Sequence, residues 1–374
     1  MKILLVVTGL GVGGAERLVT GLADRFVADG HEVVLAYFLG EPSFLPADSR
    51  VRSVNLHLDR HPIGLLAGLW RLRRLIQEFR PDVVNSHLVH ANVLARLLRL
   101  VTPMRRLVSS AHNTNEEGRF RMLAYRLTDR LADVSTNVSD EAVAAFIEQG
   151  ALRCGRMVTV HNGIDIDAFS FDADGRNKIR SELAVEEEAP VLLAVGRLWE
   201  QKDYPNLLTA LAKLKASGYA PILLIVGDGP LRDELAGMAV SLGVAEQIRW
   251  LGVRHDVQAF LSACDVFVLS SAWEGFGLVV AEAMACERVV VATDSGGVRE
   301  VVGDVGCLVP PRDSDAMAEA LEHALTISRE KREQIRHLSR ARIIERYSLQ
   351  ATASRYLSVF RGERIESSIS DGYE

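Results

Sequence analysis

The chain alternates between short apolar runs and stretches in which apolar residues recur at helical spacing. In the first half, helical patterns cover 16–28, 65–79 and 140–149, and Ser139 stands where the last of these helices needs an N-cap. The candidate strands are KILLVVT, EVVLAYF, DVVNSH, RLVSSAH, DVSTNV and MVTVHN. Strands that alternate with helices predict a parallel sheet covered on both faces.

A polar segment, 172–190, interrupts this alternation and predicts a linker with a short helix. The pattern restarts with the strands VLLAVGR, PILLIVG, IRWLG, DVFVLSS and RVVVAT, and with helices over 206–215 and 231–242. We therefore expect an α/β protein of two doubly wound, Rossmann-like domains, 1–170 and 171–349, that face each other across a cleft. The last residues, ESSISDGYE, are expected to form a frayed tail.

The composition is that of an ordinary globular protein, with 374 residues, of which 48% are hydrophobic and 25% charged. Its four cysteines lie far apart without a C-x-x-C pair, which indicates reduced, mostly buried thiols in a cytoplasmic protein. The first apolar run stops at Thr8-Gly9 without a clean cleavage site, so it predicts a buried strand and not a signal peptide. No apolar run reaches eighteen residues, so we expect no membrane-spanning helix.

Basic residues are concentrated in the first half of the chain. Residues 1–180 hold 23 Lys and Arg against 20 Asp and Glu, a net charge of +3, whereas 181–374, with 20 against 29, has −9. The segment 60–130 holds 13 Arg and five acidic residues. Because the whole chain has a net charge of −6 and no recognition motif is present, nucleic acid is not an expected partner.

Part of this basic excess lies on a predicted amphipathic helix. Apolar residues at 65, 66, 69, 72, 76 and 79 form a stripe that is expected to face mostly the core. Basic residues beside it would attract anionic lipid headgroups, at about 1 kcal/mol per residue, although a solvated helix face explains the pattern equally well. The residues of this candidate surface are Trp70, Arg71, Arg73 and Arg74 on the helix, with Arg96, Arg99, Arg105 and Arg106 further along.

Glycine-rich and charged segments follow several predicted strands, where open α/β sheets bind their ligands. The first, TGLGVGGAERLV, contains Gly9-x-Gly11-x-x-Gly14 and suits a phosphate at a helix N-terminus, without specifying which phosphate compound. After VLLAV, the segment GRLWEQKD places Arg197 and Lys202 five residues apart. Two cations at this position can bind a diphosphate. The alternative is that both are solvated surface charges without a ligand.

Two further segments have the same placement. GDGP, 227–230, lets the backbone approach a ligand, or forms a turn with Pro230 at the first position of a helix. In AWEGFGLVVAEAMAC, Glu274 precedes a glycine-flanked loop and Glu282 follows eight residues later, where it can accept hydrogen bonds from ribose hydroxyls. The alternative is that Glu274 and Glu282 are two acidic residues on the protein surface without a binding role, since these would show the same spacing.

Two polar positions bear on catalysis and on metal binding. His112 ends a predicted strand, where it can donate a hydrogen bond to a sugar or cap local backbone. Asp165 and Asp167 spell D-x-D, but this pattern recurs in the chain, and we expect both residues to cap turns and helices. No metal and no other cofactor is expected, since Arg197 and Lys202 can neutralise phosphate.

The segment EGFGLVVAE resembles the E-x7-E signature of the retaining, nucleotide-sugar-dependent glycosyltransferases of family four, which have the GT-B fold. The resemblance covers nearly the whole chain, through GGAE, SSAHNTNEEG, HNGIDIDAF, GRLWEQKD, VGDGP and WLGV in the family's order. It implies that a C-terminal helix within 350–374 crosses back to the first domain. It also implies a cleft that closes over the substrates and excludes water.

The resemblance also implies a role for each matching residue. Arg197 and Lys202 would bind the donor diphosphate, and Glu274 and His112 would contact the donor sugar. Glu282 would bind the ribose. The further donor contacts implied are Gly14, Gly227, Val253, Phe276, Gly277 and Leu278, and the acceptor contacts are Glu16 and Asn113.

The implied reaction transfers a hexose or N-acetylhexosamine, with a UDP-sugar favoured as donor, to a saccharide acceptor. The acceptor would be lipid-linked and lie at the cytoplasmic face of the membrane, as in surface polysaccharide or glycolipid synthesis, and a glycolipid, a protein or a free sugar are the alternative acceptors. Two alternatives stay open. A nucleotide-sugar 2-epimerase of the same fold would release UDP or epimerised sugar without an acceptor, and a dinucleotide-binding protein would rest on the loop 9–14 alone.

Overall fold

The computed structural model describes residues 1–11, 13–58, 61–114 and 118–363. The chain divides into two compact units, each with its own parallel sheet. The N-terminal unit comprises Met1–Gly163 and the chain from Leu349 onward, and the C-terminal unit comprises Ile164–Ser348. The α/β class predicted from the alternating pattern is confirmed in both.

The N-terminal unit has a seven-stranded sheet of order β3-β2-β1-β4-β5-β6-β7. The strands are β1 (Lys2–Gly9), β2 (Glu32–Leu39), β3 (Arg52–Asn55), β4 (Val83–His87), β5 (Leu107–Ser110), β6 (Val134–Asn137) and β7 (Met157–Thr159). The helices are α1 (Gly14–Ala28), α2 (Pro62–Phe79), α3 (Val89–Leu98), α4 (Arg119–Thr128), α5 (Asp140–Glu148) and α14 (Leu349–Arg361).

The apolar run of β1 is continuous because both faces of its strand are covered. Ile3, Leu5 and Val7 pack in one core cluster with residues of α1 and α14. Leu4 and Val6 belong to a second cluster with residues of α2 and α3. Alternate residues of a strand point to opposite faces, so one run of apolar residues feeds two cores.

The C-terminal unit has a six-stranded sheet of order β10-β9-β8-β11-β12-β13. The strands are β8 (Val191–Val195), β9 (Ile222–Val226), β10 (Ile248–Trp250), β11 (Val266–Leu269), β12 (Val289–Thr293) and β13 (Cys307–Val309). The helices are α6 (Ala173–Glu182), α7 (Tyr204–Ala216), α8 (Arg232–Ser241), α9 (Val257–Ala263), α10 (Leu278–Ala285), α11 (Val298–Val302), α12 (Ser314–Thr326) and α13 (Arg329–Tyr347).

The polar segment 172–190 contains the expected short helix, but it is not a free linker. Arg176 and Arg180 of α6 each place a guanidinium nitrogen 2.9 Å from a carboxylate oxygen of Asp265, at the start of β11. Arg180 also donates to the main-chain oxygens of Glu186 and Ala189. These bonds fasten the segment to the body of the C-terminal unit.

Local structure departs from the sequence expectations at a few points. Two short edge strands, β3 and β13, escaped the pattern because they contain few buried apolar residues. Pro230 is not the first residue of a helix, since α8 begins at Arg232 with Leu231 as its N-cap. The predicted N-cap is confirmed, because Ser139 Oγ accepts a 3.1 Å hydrogen bond from the main-chain nitrogen of Ala142.

The remaining expectations concern cysteines, membrane spans and chain termini. All four cysteines are free thiols; Cys264 and Cys286 are buried, Cys307 is half-buried and Cys154 is exposed. No helix in the described ranges is long and apolar enough to cross a membrane. The predicted frayed tail lies outside the described residues.

Candidate functional site

The predicted donor-binding residues of the C-terminal unit gather at the carboxyl ends of its central strands. β8 pairs with β9 on one side and with β11 on the other, so the strand order reverses at β8. Loops that follow strands at such a reversal diverge and leave room for a ligand. Arg197 and Lys202 follow β8, and Glu274 follows β11.

Lys202 and Glu274 form an ion pair across this point. Lys202 Nζ lies 2.5 Å from Glu274 Oε1, and Ser271 Oγ donates to the same oxygen at 2.7 Å. Glu274 is only 8% exposed, so it is not a surface acid. The two loops are also joined through main-chain atoms, since the nitrogen of Ala272 donates to the oxygen of Gln201 at 2.8 Å.

Arg197 lies in the same loop as Lys202, after β8, and is exposed. Its guanidinium carbon is 4.7 Å from the ring centroid of Trp199, a cation–π contact. Among the residues that the structure describes, no carboxylate pairs with Arg197. A guanidinium that is oriented by an aromatic ring and lacks a carboxylate partner can receive an anion.

Glycines allow three loops to pack closely beneath these side chains. Gly227 has φ +135°, and a Cβ at this position would overlap the main-chain oxygen of Gly196. The nitrogen of Gly227 donates to the oxygen of Gly252 at 2.8 Å, which joins the loops after β9 and β10. Val253 follows and is 66% exposed. The requirement for glycine at Gly227 therefore comes from its close approach to the main chain of Gly196.

A second glycine contact positions Glu274. Gly296 has φ +59°, and a Cβ there would overlap the main-chain oxygen of Glu274. Gly296 was not among the predicted residues, although it lies in the Ser-Gly-Gly segment that follows β12. Only glycine allows the loop after β12 to approach Glu274 this closely.

The loop after Glu274 leads into α10. Gly277 is the N-cap of this helix with φ +82°, and Leu278 is its half-buried first residue. Phe276 is 3% exposed, and its ring packs edge-on against that of Tyr347, with centroids 5.6 Å apart. Glu282 lies half-buried within α10.

In the N-terminal unit, the glycine loop leads directly into α1. Gly13 is the N-cap, and Gly14 is the first helical residue. The carboxylate of Glu16 folds back over Gly13, into the space that a Cβ there would need. Burial raises the pKa of Glu16 above its ordinary value. Val12, within the same loop, lies outside the described residues.

His112 lies at the carboxyl edge of the N-terminal sheet and contacts a second histidine. His87 Nδ1 and His112 Nε2 are 3.1 Å apart, and both rings are buried. Burial lowers the pKa of His112 to about 4 and also lowers the pKa of His87 well below its ordinary value. Sequence analysis missed His87, whose signal was its position at the end of the DVVNSH strand.

The segment after His112 is described only in part. The side chain of Asn113 is exposed, and its main-chain oxygen accepts a 3.1 Å hydrogen bond from Asn137 Nδ2. The following positions 115–117 of the HNTNEEG segment lie outside the described residues.

The first aspartate of each D-x-D pair caps a turn or a helix, which confirms the prediction for Asp165, whereas capping by Asp167 stays a prediction. Asp165 Oδ1 accepts hydrogen bonds from the main-chain nitrogens of Asp167 and Ala168. Asp172 caps α6 and Asp313 caps α12 in the same way. The described part of the chain contains no group of three or more His, Cys, Asp and Glu side chains arranged to hold a metal ion.

The candidate basic surface is smaller than predicted. Trp70 is 59% exposed, and Arg71, Arg73 and Arg74 are exposed, as expected for positions off the apolar stripe. Arg96 was wrongly assigned to this surface. It is fully buried and donates to Ser109 Oγ and Ser135 Oγ, among other acceptors.

One residue of the predicted apolar stripe and two further arginines of the predicted basic surface also differ from the prediction. Leu66, expected on the buried stripe, is 67% exposed. Arg99 pairs with Asp133 at 2.8 Å, and Arg105 pairs with Asp82 at 2.6 Å. Arg74 of α2 is likewise paired, with Glu78 at 2.6 Å, and it remains exposed on the same helix as Leu66.

Comparisons with known proteins show the family to which the chain belongs. Residues 12–168 match the family model described as Glycosyltransferase Family 4, and 175–342 match Glycosyl transferases group 1. The lipopolysaccharide core biosynthesis glycosyltransferase LpsE of Rhizobium meliloti is 32% identical over 365 residues, which cover 93% of this chain and 95% of that protein.

Two further similarities extend over the full length. An N-acetylgalactosamine-N,N'-diacetylbacillosaminyl-diphospho-undecaprenol 4-alpha-N-acetylgalactosaminyltransferase of Campylobacter jejuni is 25% identical, with coverage of 95% and 99%. The crystal structure of Anabaena Alr3699/HepE in complex with UDP superposes with a TM-score of 0.84 at 24% identity, with coverage of 97% and 100%. The chain thus has the GT-B fold and belongs to the group 1, family 4 glycosyltransferases, a retaining family that uses nucleotide sugars.

Proposed function

We propose that the protein transfers a hexose or an N-acetylhexosamine from a UDP-sugar to a hydroxyl of a lipid-linked saccharide. The observation that carries the proposal is the Lys202–Glu274 pair at the strand-order reversal, with the exposed Arg197 in the same loop as Lys202. A pyrophosphate-linked sugar needs cations at its leaving group and hydrogen-bond acceptors at its hydroxyls. This cluster supplies both.

The donor would be bound by distinct groups of the C-terminal unit. Lys202 has three N–H donors, of which Glu274 takes one, so the others can reach diphosphate oxygens. Arg197 would bind a second phosphate oxygen, and Glu274 would accept from a sugar hydroxyl. The contacts proposed for the rest of the donor are the ribose at Glu282, the base near Val253, and main chain at Gly227, Phe276, Gly277 and Leu278.

Transfer with retention would proceed on one face of the sugar. The bond from the anomeric carbon to the diphosphate oxygen breaks, and a bond to the acceptor oxygen forms on the same side. The acceptor proton passes to the departing diphosphate. Arg197 and Lys202 would stabilise the charge that develops on that group, which is the main electrostatic contribution to the rate.

The N-terminal unit would supply the remaining contacts. His112 would donate to the donor sugar, main chain at Gly14 would approach the diphosphate, and Glu16 and Asn113 would contact the acceptor. The name of the Campylobacter relative, which includes diphospho-undecaprenol, and that of LpsE support a lipid-linked acceptor. An acceptor of this kind would place the enzyme at the cytoplasmic face of a membrane, with the exposed Trp70, Arg71, Arg73 and Arg74 at its surface.

The donor is tested by measuring the melting temperature of the protein with UDP, GDP, ADP and NAD, followed by turnover of the corresponding nucleotide sugars with undecaprenyl-diphosphate-linked saccharides. We expect UDP to stabilise the protein, and turnover to produce UDP and an α-linked product from an α-linked donor. Stabilisation by NAD alone would overturn the proposal. Epimerised sugar in a donor-only incubation would instead establish the 2-epimerase alternative.

A further inference from the structure

Two buried histidines share one hydrogen bond at the carboxyl edge of the N-terminal sheet. His87 is the last residue of β4, and His112 follows β5 by two positions. These strands are neighbours, and His87 is in register with Ser110. The sheet therefore brings together two rings that are 25 residues apart in the chain, with His87 Nδ1 and His112 Nε2 at 3.1 Å.

The outer nitrogen of each ring lacks a partner. His87 Nε2 and His112 Nδ1 are both buried, and neither has a hydrogen-bond partner among the described residues. His87 is 0% exposed and lies under the ring of Tyr356, whereas His112 is 9% exposed. His112 is thus the member of the pair that is nearer to solvent.

Both rings are neutral near neutral pH, because burial lowers the pKa of each. A neutral imidazole has one N–H and one bare nitrogen, so one ring must donate and the other must accept. If His87 Nδ1–H donates, His112 carries its own proton on Nδ1. If His112 Nε2–H donates, the proton of His87 must lie on Nε2.

The surroundings distinguish these two arrangements. Each arrangement leaves one buried N–H without a partner among the described residues, at His87 Nε2 in the second and at His112 Nδ1 in the first. His87 is 0% exposed and His112 is 9% exposed, so only a donor on His112 can be reached by a ligand hydroxyl or by water. The first arrangement is favoured because its buried donor can gain a partner.

The backbone next to His87 is also constrained. Leu88 has φ 72° and ψ 154°, a conformation that side-chain-bearing residues rarely adopt. Its main-chain nitrogen donates to the oxygen of Ser110 at 3.2 Å, which ties the end of β4 to β5. This bond holds His87 beside the strand that precedes His112.

We propose that His87 is a positioning residue that fixes His112 as the Nδ1–H tautomer and so presents one hydrogen-bond donor. Only the identity of the recipient, a hydroxyl of the donor sugar, rests on the proposed function. The hydrogen bond between the two rings supports this role, because the bond made by one ring nitrogen of a histidine determines whether the second ring nitrogen carries a proton.

The tautomer is measured by long-range ¹⁵N–¹H correlation of the histidine side chains in the full-length protein. We expect His112 in the wild type to have a protonated Nδ1 and a bare Nε2. His87→Asn retains an N–H donor near the position of Nδ1 and should preserve this tautomer, whereas His87→Leu should abolish the preference. Protonation at His112 Nε2 in the wild type, or an unchanged His112 signal in His87→Leu, overturns the proposal.

Ser86→Ala is the matched control for a merely structural effect. Ser86 lies on the same strand and is equally buried, and its hydroxyl donates to Asn92 Oδ1 at 2.7 Å and not to either histidine ring. This variant should lose stability without a change in the His112 tautomer. A shift of the tautomer in Ser86→Ala as large as that in His87→Leu would contradict the proposal.

A kinetic arm uses release of UDP from UDP-glucose and UDP-N-acetylglucosamine. Loss of one positioned donor predicts that kcat falls about tenfold in His87→Leu with KM nearly unchanged, and that His87→Asn recovers most of the loss. A fall confined to KM would contradict the proposal. If no UDP-sugar is turned over by the wild type, the proposed donor is wrong, while the tautomer measurement still decides the role of His87.

Discussion

Lys202 Nζ and Glu274 Oε1 lie 2.5 Å apart although 72 positions separate the two residues in the chain. Their side chains are 17% and 10% exposed, so solvent and salt screen the pair only weakly. A bound diphosphate would compete with Glu274 for the ammonium group. In the proposed reaction the pair would therefore couple leaving-group binding to the position of the carboxylate.

Removal of the cations should abolish turnover. We expect Lys202→Ala to lower kcat by about 100-fold, because it removes charge stabilisation at the departing diphosphate. The double variant that combines Arg197→Ala with Lys202→Ala should approach the background rate. Steady-state release of UDP measures the effect. Lys213→Ala, which removes an exposed lysine paired with Asp315 in the same unit, should keep the wild-type rate. A double variant with normal turnover would disprove the assignment.

Glu274→Gln should separate binding from turnover. The glutamine keeps an acceptor for Ser271 Oγ but removes a negative charge next to the proposed diphosphate position. We expect UDP to bind as tightly as to the wild type or a few-fold more tightly, while turnover falls about 100-fold. Calorimetric titration with UDP and initial rates test the two effects. A large loss of UDP affinity would show that Glu274 does not act on the sugar side.

Gly296→Ala should destabilise the C-terminal unit and displace Glu274. The new Cβ would overlap the main-chain oxygen of Glu274 at a positive φ, so we expect a loss of at least about 2 kcal/mol in the free energy of unfolding. Urea denaturation measures it. Gly237→Ala is the matched control: it lies in α8 with open space around it, and should stabilise the protein by about 0.5–1 kcal/mol.

The buried histidines should make the protein less stable in weak acid. The pKa of His112 is lowered from 6.5 to about 4, so below pH 6.5 the unfolded chain binds a proton that the folded chain does not. The free energy of unfolding must then fall as the pH drops from 6.5 towards 4, by about 2 kcal/mol between pH 7 and pH 5 from His112 alone.

Denaturation at several pH values compares the slopes of variants. His112→Asn should show a shallower dependence of unfolding free energy on pH than the wild type. His323→Gln, which replaces an exposed histidine, should keep the wild-type slope. Equal slopes in His112→Asn and the wild type would mean that His112 titrates normally in the folded protein.

The exposed face of α2 should bind anionic lipid. Trp70 is 59% exposed and Leu66 is 67% exposed, beside Arg73 and Arg74. The double variant that combines Arg73→Ala with Arg74→Ala loses two positive charges, each worth about 1 kcal/mol of binding to an anionic membrane. It should bind phosphatidylglycerol-containing vesicles about 30-fold more weakly at low salt. Vesicle cosedimentation measures this, with pure phosphatidylcholine vesicles as reference. Arg299→Ala, in the C-terminal unit, should bind like the wild type; equal binding by both variants would exclude α2.

Local pattern was sufficient for most elements because strand and helix periodicities are properties of neighbouring residues. The run of β1 predicted a buried strand, and Ser139 was recognised as an N-cap from its position alone. β3 and β13 were missed because pairing with β2 and β12, rather than their own residues, stabilises them. The sequence also placed Arg197, Lys202, Glu274 and His112 correctly after strands.

What the sequence determined by itself was the alternation of elements and the chemical types that follow each strand, since both depend on short-range spacing. Tertiary structure decided which of these groups meet. Strand order brought Lys202 to Glu274 and His87 to His112, and it buried Arg96, which spacing had assigned to the surface. Contacts between distant residues depend on the order in which strands pair, and no local periodicity encodes that order.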